Sequence, residues 1–235
     1  MTQNGPPHPR PVIKSSTFDP EHLPADFIRY VKALQAHANH EAHAHRLART
    51  LQMRVRVGLH NYCLPEAQPD PLIVLQPWYF GWSNDVLRHE MAHVMLYWSG
   101  LESHIIATYG PDDGWAIVER LCQQAVAFLH IPQPMLQDAL QRYGVTAQAV
   151  LHLQQRSGAN LSTALRRLIY DTPNAQRAGF ITSGPYIREV AQCNLTLPFS
   201  WLDRVPEPIT RFPERSSVTT ATVRHEHSTV GVWRT

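Results

Sequence analysis

Residues 89–93 form the segment HEMAH, in which two histidines stand four positions apart and a glutamate follows the first. On an α-helix His89 and His93 would lie on the same face, one turn from each other. Two imidazoles at this spacing can bind one zinc ion. Glu90 can then accept a proton from a water molecule at that ion. The motif therefore predicts a metal site with a general base beside it.

The residues around HEMAH are mostly bulky and apolar, which is typical of a buried helix. We predict this helix over residues 84–98, with Ser83 or Asn84 as its N-cap. Burial of ionisable side chains without partners is costly, and a metal ion would remove that cost. The alternative is a pair of core histidines that are hydrogen-bonded to the backbone.

A catalytic zinc ion usually has three protein ligands and one open position. One zincin subclass takes its third ligand from a histidine at position 99, after a glycine at 96, but Leu96 and Ser99 stand there. Glu102 is close in sequence, but it falls in a predicted turn. The third ligand must then come from a later element of the chain.

Glu119 is the best candidate for this ligand. A helix predicted from about Trp115 to His130, with Asp112 or Asp113 as its cap, places Glu119 on an apolar stripe. A carboxylate on a core face needs a partner, which a metal ion would supply. A buried salt bridge, to Arg88 or Arg120, is the alternative.

Several further elements must position this site. Helical periodicity covers about residues 24–51, and alternation predicts a strand at 53–59. A short β-rich run at 71–78 predicts a second strand, and we expect it to be an edge strand that pairs with extended substrate. Its substrate-binding residues would be Leu72, Ile73, Val74 and Leu75. Short helices, with breaks at Gly144 and Gly158, follow to about residue 171.

The chain divides by composition into four predicted segments. Residues 1–22 are rich in proline and predict a flexible arm, and residues 23–135 hold the metal motif. Residues 136–172 are helical and similar to a helix-turn-helix, with Asn160 as the N-cap of the last helix. Residues 173–235 form a C-terminal extension of unknown fold, in which a weak alternation near the end indicates a strand or a loose tail.

The metal motif and the later helix together resemble the ImmA/IrrE group of metallopeptidases, which cut helix-turn-helix transcriptional repressors. The segment from Glu119 to Pro132, ERLCQQAVAFLHIP, is similar to the family helix that carries the third ligand, and residues 157–168 are similar to a later family helix. The resemblance implies a mostly helical α+β fold, with a zincin-like core, a small β-sheet before the active-site helix and a helical bundle after it.

The resemblance also implies a function. His89, His93 and Glu119 would bind Zn²⁺ or Mn²⁺, and Glu90 would act as the catalytic base of an endopeptidase. The substrate would be a helix-turn-helix repressor, cut in a response to stress, DNA damage or a mobile element. A further donor should stabilise the oxyanion, and Tyr97, His104 and Tyr109 remain open as candidates.

Charge and composition limit the other functions. A net charge of +2 is too small to indicate nucleic acid by itself. The sequence has no apolar run long enough to span a membrane and no secretory signal at its N-terminus, and three cysteines without close spacing favour a reducing cytoplasm.

Two alternatives remain for the function as a whole. The chain could be a regulator that binds DNA or protein around a structural or inactive metal site, with Arg156, Arg166 and Arg167 contacting phosphates. It could also be an interaction protein of a mobile element that keeps the site but acts by binding. Weaker signals for further metal sites are a histidine-rich stretch at residues 37–45 and the segment RHEH at 224–227.

Overall fold

The computed structural model describes residues 22–79, 84–205, 218–223 and 228–234. These residues form an α+β fold with eight α-helices and two sheets, which confirms the predicted class. The predicted arm lies outside the described residues except for residue 22. None of the helices in the described ranges has the length and apolar character that crossing a bilayer requires.

The helices and strands follow one another in two groups. The helices are α1 (Leu23–His37), α2 (Ala44–Thr50), α3 (Asp85–Ser99), α4 (Leu101–Tyr109), α5 (Pro111–His130), α6 (Gln133–Tyr143), α7 (Ala147–Ser157) and α8 (Leu161–Ile169). The strands are β1 (Arg54–Val57), β2 (Tyr62–Leu64), β3 (Leu72–Leu75), β4 (Arg177–Ser183), β5 (Tyr186–Cys193), β6 (Val218–Val223) and β7 (Ser228–Arg234).

The first helical region is two helices rather than one. The backbone takes positive φ angles at Asn39 (51°) and His40 (57°), which the right-handed helix does not allow, so α1 ends and α2 starts in a new direction. The predicted turn at Glu102 is also wrong, because Gly100 (φ 76°) ends α3 and α4 begins at the next residue.

The first sheet has the strand order β1-β3-β2. β3 runs parallel to β1 and antiparallel to β2, so both of its edges are already paired. The prediction that Leu72, Ile73, Val74 and Leu75 form an edge strand for substrate is therefore wrong. The pairing of β1 with β3 spans 18 positions of sequence, from Arg54 to Leu72, and local periodicity does not reveal it.

The C-terminal extension forms a four-stranded antiparallel sheet with the order β5-β4-β7-β6. Its strands come from distant parts of the chain, since Phe180 in β4 lies opposite Gly231 in β7. Gly231 packs against the ring of Phe180, where a side chain would clash. This sheet covers α7 and α8, so the helix-turn-helix-like segment is packed into the fold rather than displayed alone.

Buried side chains form two main cores. The first joins α1 to α5 with the first sheet and ends at Leu129, whereas the second begins at Ile131 and joins α6 to α8 with one face of the second sheet. A smaller cluster around Phe180 and Phe199 fills the other face. The change of core falls close to the predicted segment boundary at residue 135, which itself stays a prediction.

Candidate metal centre

Local sequence signals set the ends of α3, the helix that carries HEMAH. The side chain of Asn84 accepts a hydrogen bond of 3.1 Å from the backbone N–H of Leu87, which confirms one of the two predicted N-caps. Gly100 ends the helix in the left-handed conformation. Between these signals, His89 and His93 project from one face with their rings edge to face, 4.7 Å between centroids.

Three donor side chains converge at this face of α3. Nε2 of His89 lies 3.1 Å from Nε2 of His93. The carboxylate of Glu119 on α5 places Oε2 at 3.2 Å from the first nitrogen and Oε1 at 3.2 Å from the second. These three residues form the one group in the described part of the chain that could hold a metal ion.

The triangle has dimensions that suit a tetrahedral metal. Ligand atoms about 2.0–2.1 Å from zinc, at a tetrahedral angle, are about 3.3 Å apart, close to the observed separations. Burial and the neighbouring His89 lower the pKa of His93, against the opposing effect of Glu119, and this favours the neutral imidazole that binds metal. The buried Nδ1 of His89 has no hydrogen-bond partner among the described residues. The donor set of two imidazoles and one carboxylate fits zinc or manganese.

The side chain of Glu119 contacts the histidines while more than half exposed, so the prediction that it lies on the core face of its helix is wrong. α5 begins at Pro111, so Asp112 and Asp113 lie in its first turn instead of capping it. Glu119 lies about 100° around the helix from the buried Val118. Its side chain is 57% exposed, and Trp115, expected on the same buried stripe, is 47% exposed.

Glu90 lies on α3 with only 9% of its surface exposed. Burial, followed by the negative charge of Glu119, raises the pKa of Glu90 to about 7, while a hydrogen bond with Cys63 opposes the rise. Burial and the charge of Glu90 likewise raise the pKa of Cys63 to about 12, so this thiol stays protonated. A carboxylate tuned close to neutral pH is suited to both accepting and donating a proton.

A buried hydrogen-bonded pair braces the two ligand-bearing helices, and sequence reasoning missed it. Nδ1 of His130, at the end of α5, lies 2.7 Å from Oδ1 of Asp85, at the start of α3. Arg88 lies 3.2 Å from the same carboxylate oxygen and donates to the carbonyl of Ala42. Arg88 is therefore paired with Asp85 rather than with Glu119, against the alternative salt bridge. The Asp85–His130 contact spans 45 positions, so no local pattern reveals it.

The three candidate oxyanion donors lie on α3 and α4. Tyr97 follows His93 by four residues and so shares the ligand face of α3. Its hydroxyl donates a 3.0 Å hydrogen bond to Oε1 of Glu66, just beyond β2. His104 and Tyr109 lie on α4, the latter in the last position. The role of each stays a prediction, although helix periodicity favours Tyr97.

The weaker predicted sites give no second metal centre in the part of the chain that the structure describes. The histidines of residues 37–45 do not form a metal-binding group there, and RHEH lies outside that part. Arg167 is 1% exposed and donates to the carbonyl of Ile131, to Gln133 and to Asp171, while Arg166 pairs with Glu189. These two arginines are therefore engaged within the fold rather than free for phosphates.

Comparison with known proteins finds partial likenesses, and no family model matches the chain. A stretch of 88 residues, 37% of the chain, is 33% identical to the radiation response metalloprotease IrrE of Deinococcus radiodurans. The match spans 27% of the length of that relative. Among solved structures, a transcriptional regulator of Mycobacterium tuberculosis is similar with a TM-score of 0.56 at 13% identity, over 88% of this chain and 75% of that one. The first likeness supports a metalloprotease relationship over part of the chain, and the second concerns the fold alone.

Proposed function

We propose that the protein is a metal-dependent endopeptidase that cleaves a helix-turn-helix transcriptional repressor and so relieves repression. The observation that carries this proposal is the triangle of His89, His93 and Glu119, with the buried Glu90 on the same helix. A purely structural site has no use for a carboxylate base directly beside a ligand on the same helix. The partial likeness to a metalloprotease supports the same class.

The chemistry follows from the roles of the side chains. His89, His93 and Glu119 would hold Zn²⁺ or Mn²⁺, which lowers the pKa of water and polarises a carbonyl group when bound. Glu90 accepts a proton from the attacking water and then passes it to the leaving amine. The hydroxyl of Tyr97, released from Glu66, donates to the oxygen that becomes negative at the cut bond.

The edge of β2 takes the substrate-pairing role first expected of β3. Among the described strands β2 pairs with β3 alone, so its other edge is open, and it packs against α3. Tyr62 and Leu64 are exposed on this strand. An extended peptide that hydrogen-bonds to this edge would lie beside the ligand face. The inter-domain linker of a repressor is extended and flexible enough to bind in this way.

The alternative is a regulator that binds DNA or protein around an inactive metal site. It is favoured by the fold similarity to a transcriptional regulator. The internal bonds of Arg166 and Arg167 speak against phosphate contacts by α8. The position of Glu90, directly after the ligand candidate His89, argues against an inactive site.

The deciding experiment is the substitution Glu90→Gln, tested on a helix-turn-helix repressor encoded beside the gene and on a proteome-derived peptide pool. We expect the variant to bind one metal ion per chain, as the natural protein does, and to lose cleavage. Glu102→Gln, on α4, is the matched control and should retain both. Cleavage by Glu90→Gln, or no metal-dependent cleavage by the natural protein, would contradict the proposal.

A further inference from the structure

Two adjoining cavities run along the junction of α5, α8 and β5. One has a volume of ≈ 540 Å³ and the other ≈ 620 Å³, and they share Gln123, Arg166 and Glu189 as lining residues. Together they form one groove, which we call the α5 groove. Each of the two parts alone has the volume of a typical ligand pocket, so the groove is larger than a single small ligand would fill.

The α5 groove and the candidate metal centre share helix α5. Gln123 lies four residues after the ligand Glu119, and therefore on the same face of the helix, about 6 Å further along its axis. Both residues are exposed. An extended peptide advances about 3.3 Å per residue, so a chain that leaves the metal centre along α5 reaches the groove after about two residues.

The ionisable lining of the α5 groove is mainly basic. It contains three arginines, at positions 120, 166 and 188, against one carboxylate, Glu189. Arg166 is neutralised by Glu189 at 2.7 Å. Arg120 and Arg188 have no hydrogen bond or ion pair to another residue in the described ranges and are exposed. The groove therefore offers two guanidinium groups whose charge the protein leaves unmatched.

The rest of the lining combines apolar side chains with amides. Gln123, Gln124, Gln192 and Asn160 present donors and acceptors of the kind that bind peptide backbone. Asn194, in the same wall, is held by the carbonyl of Pro173, so this wall is fixed. A groove with two unmatched guanidinium groups and amide donors beside its apolar surface suits an acidic peptide better than a cationic ligand.

We propose that the α5 groove binds the substrate chain on one side of the cut bond and selects acidic side chains there, about two to four residues from the cut. Arg120 and Arg188 are the specificity-determining residues. The inference rests on the proposed peptidase function and extends it, because it names the substrate as a segment that is acidic on one side of the bond.

The first experiment measures cleavage. The natural protein, loaded with Zn²⁺, is given a proteome-derived peptide pool, and the cut sites are read by mass spectrometry. We expect Asp and Glu to be enriched on one side of the cut. In the double variant Arg120→Glu, Arg188→Glu this enrichment should disappear, with kcat/KM for an acidic peptide reduced about tenfold relative to its neutral counterpart. Arg49→Glu, on α2, is the matched control, because α2 packs on α3 and β1, away from the groove.

The second experiment separates this inference from the proposed function. Binding of a fluorescein-labelled acidic peptide is measured by anisotropy with the Glu90→Gln protein, which needs no cleavage. We expect binding that weakens with salt and that the double charge reversal weakens about tenfold, while Arg49→Glu leaves it unchanged. Equal binding of acidic and neutral peptides, or cleavage without acidic preference, overturns the groove inference. If the variant binds acidic peptides but the natural protein cleaves none, the peptidase proposal is overturned instead.

Discussion

Two clusters of buried ionisable groups differ in how completely the protein satisfies them. Around Arg167 every strong donor finds an acceptor: the carbonyl of Ile131, the side chain of Gln133 and the carboxylate of Asp171, which also receives Lys32. At the metal centre, the buried Nδ1 of His89 has no partner in the described structure, and Glu90 is buried with a raised pKa.

The difference agrees with the roles proposed for the two clusters, the first in stability and the second in catalysis. The Arg167 cluster joins the two cores, and its guanidinium group also stacks on Phe128 at 4.5 Å from the ring centroid. Complete pairing there stabilises one arrangement. On α3 pairing is incomplete, since Nδ1 of His89 lacks a partner in the described residues while Nε2 of the same ring faces Glu119.

The largest expected effect comes from His93→Ala, which removes one corner of the triangle. We expect loss of the bound metal and of cleavage, because two ligands do not hold zinc in a folded site of this kind. Metal content by mass spectrometry and thermal unfolding are the two measurements. His152→Ala, which removes a histidine bonded to Asp138 far from the site, should retain the metal. One equivalent of metal in His93→Ala would refute the triangle as the site.

The substitution Arg167→Met tests the fully paired cluster. It leaves Asp171 with Lys32 as its one charged partner, and we expect the free energy of unfolding to fall by roughly 3–5 kcal/mol. Urea unfolding gives this value, and metal content should stay at one per chain. Arg166→Met, which breaks a pair that is more exposed, should cost less. Equal losses in the two variants would remove the contrast between the clusters.

Tyr97→Phe sharpens the choice among the oxyanion donors. We expect kcat to fall about tenfold or more while metal content and KM change little, since the hydroxyl would act at the transition state. Steady-state kinetics on a single peptide measure both constants. An unchanged kcat would transfer the role to His104 or Tyr109, whose Ala and Phe variants are then the next to test.

The smallest expected effect is on the pH dependence of stability in acid. Burial alone would raise the pKa of Asp171, but Arg167 and Lys32 together lower it below the ordinary value of 3.8. The carboxylate therefore contributes stability above pH 3.8, and that contribution is lost as the pH falls through the lower folded-state pKa. Urea midpoints between pH 5 and 2.5 should fall less steeply for Asp171→Asn than for the natural protein. Parallel curves would contradict this sign.

Helix ends and helix faces were predictable because they depend on residues that are close in sequence. Asn84 before the apolar run and Gly100 after it set α3 to within a residue, and the spacing of His89 and His93 fixed their common face. Asn160 likewise caps α8, where its side chain accepts from Thr163 at 2.8 Å. Each of these features depends on residues within one or two helical turns of each other.

Contacts between distant residues were not predictable in this way. β3 becomes a central strand only because β1 and β2 arrive from either side, and the second sheet joins β4 to β7 across about fifty positions. The exposure of Glu119 depends on where α5 packs against α3, and this is fixed by Asp85 and His130. The role of Glu119 as third ligand stays a prediction, but the sequence pattern placed its side chain in the core, whereas it is 57% exposed.

The half-exposed carboxylate of Glu119 has a consequence for the exchange of a bound cation. Because one corner of the triangle opens to solvent, we expect that a bound cation can be withdrawn and returned while the chain stays folded. We expect EDTA to silence cleavage at unchanged far-UV circular dichroism, and added Zn²⁺ to restore it within the dead time of a manual assay. Under the proposed function, the concentration of the free ion in the cell would then limit the rate of cleavage.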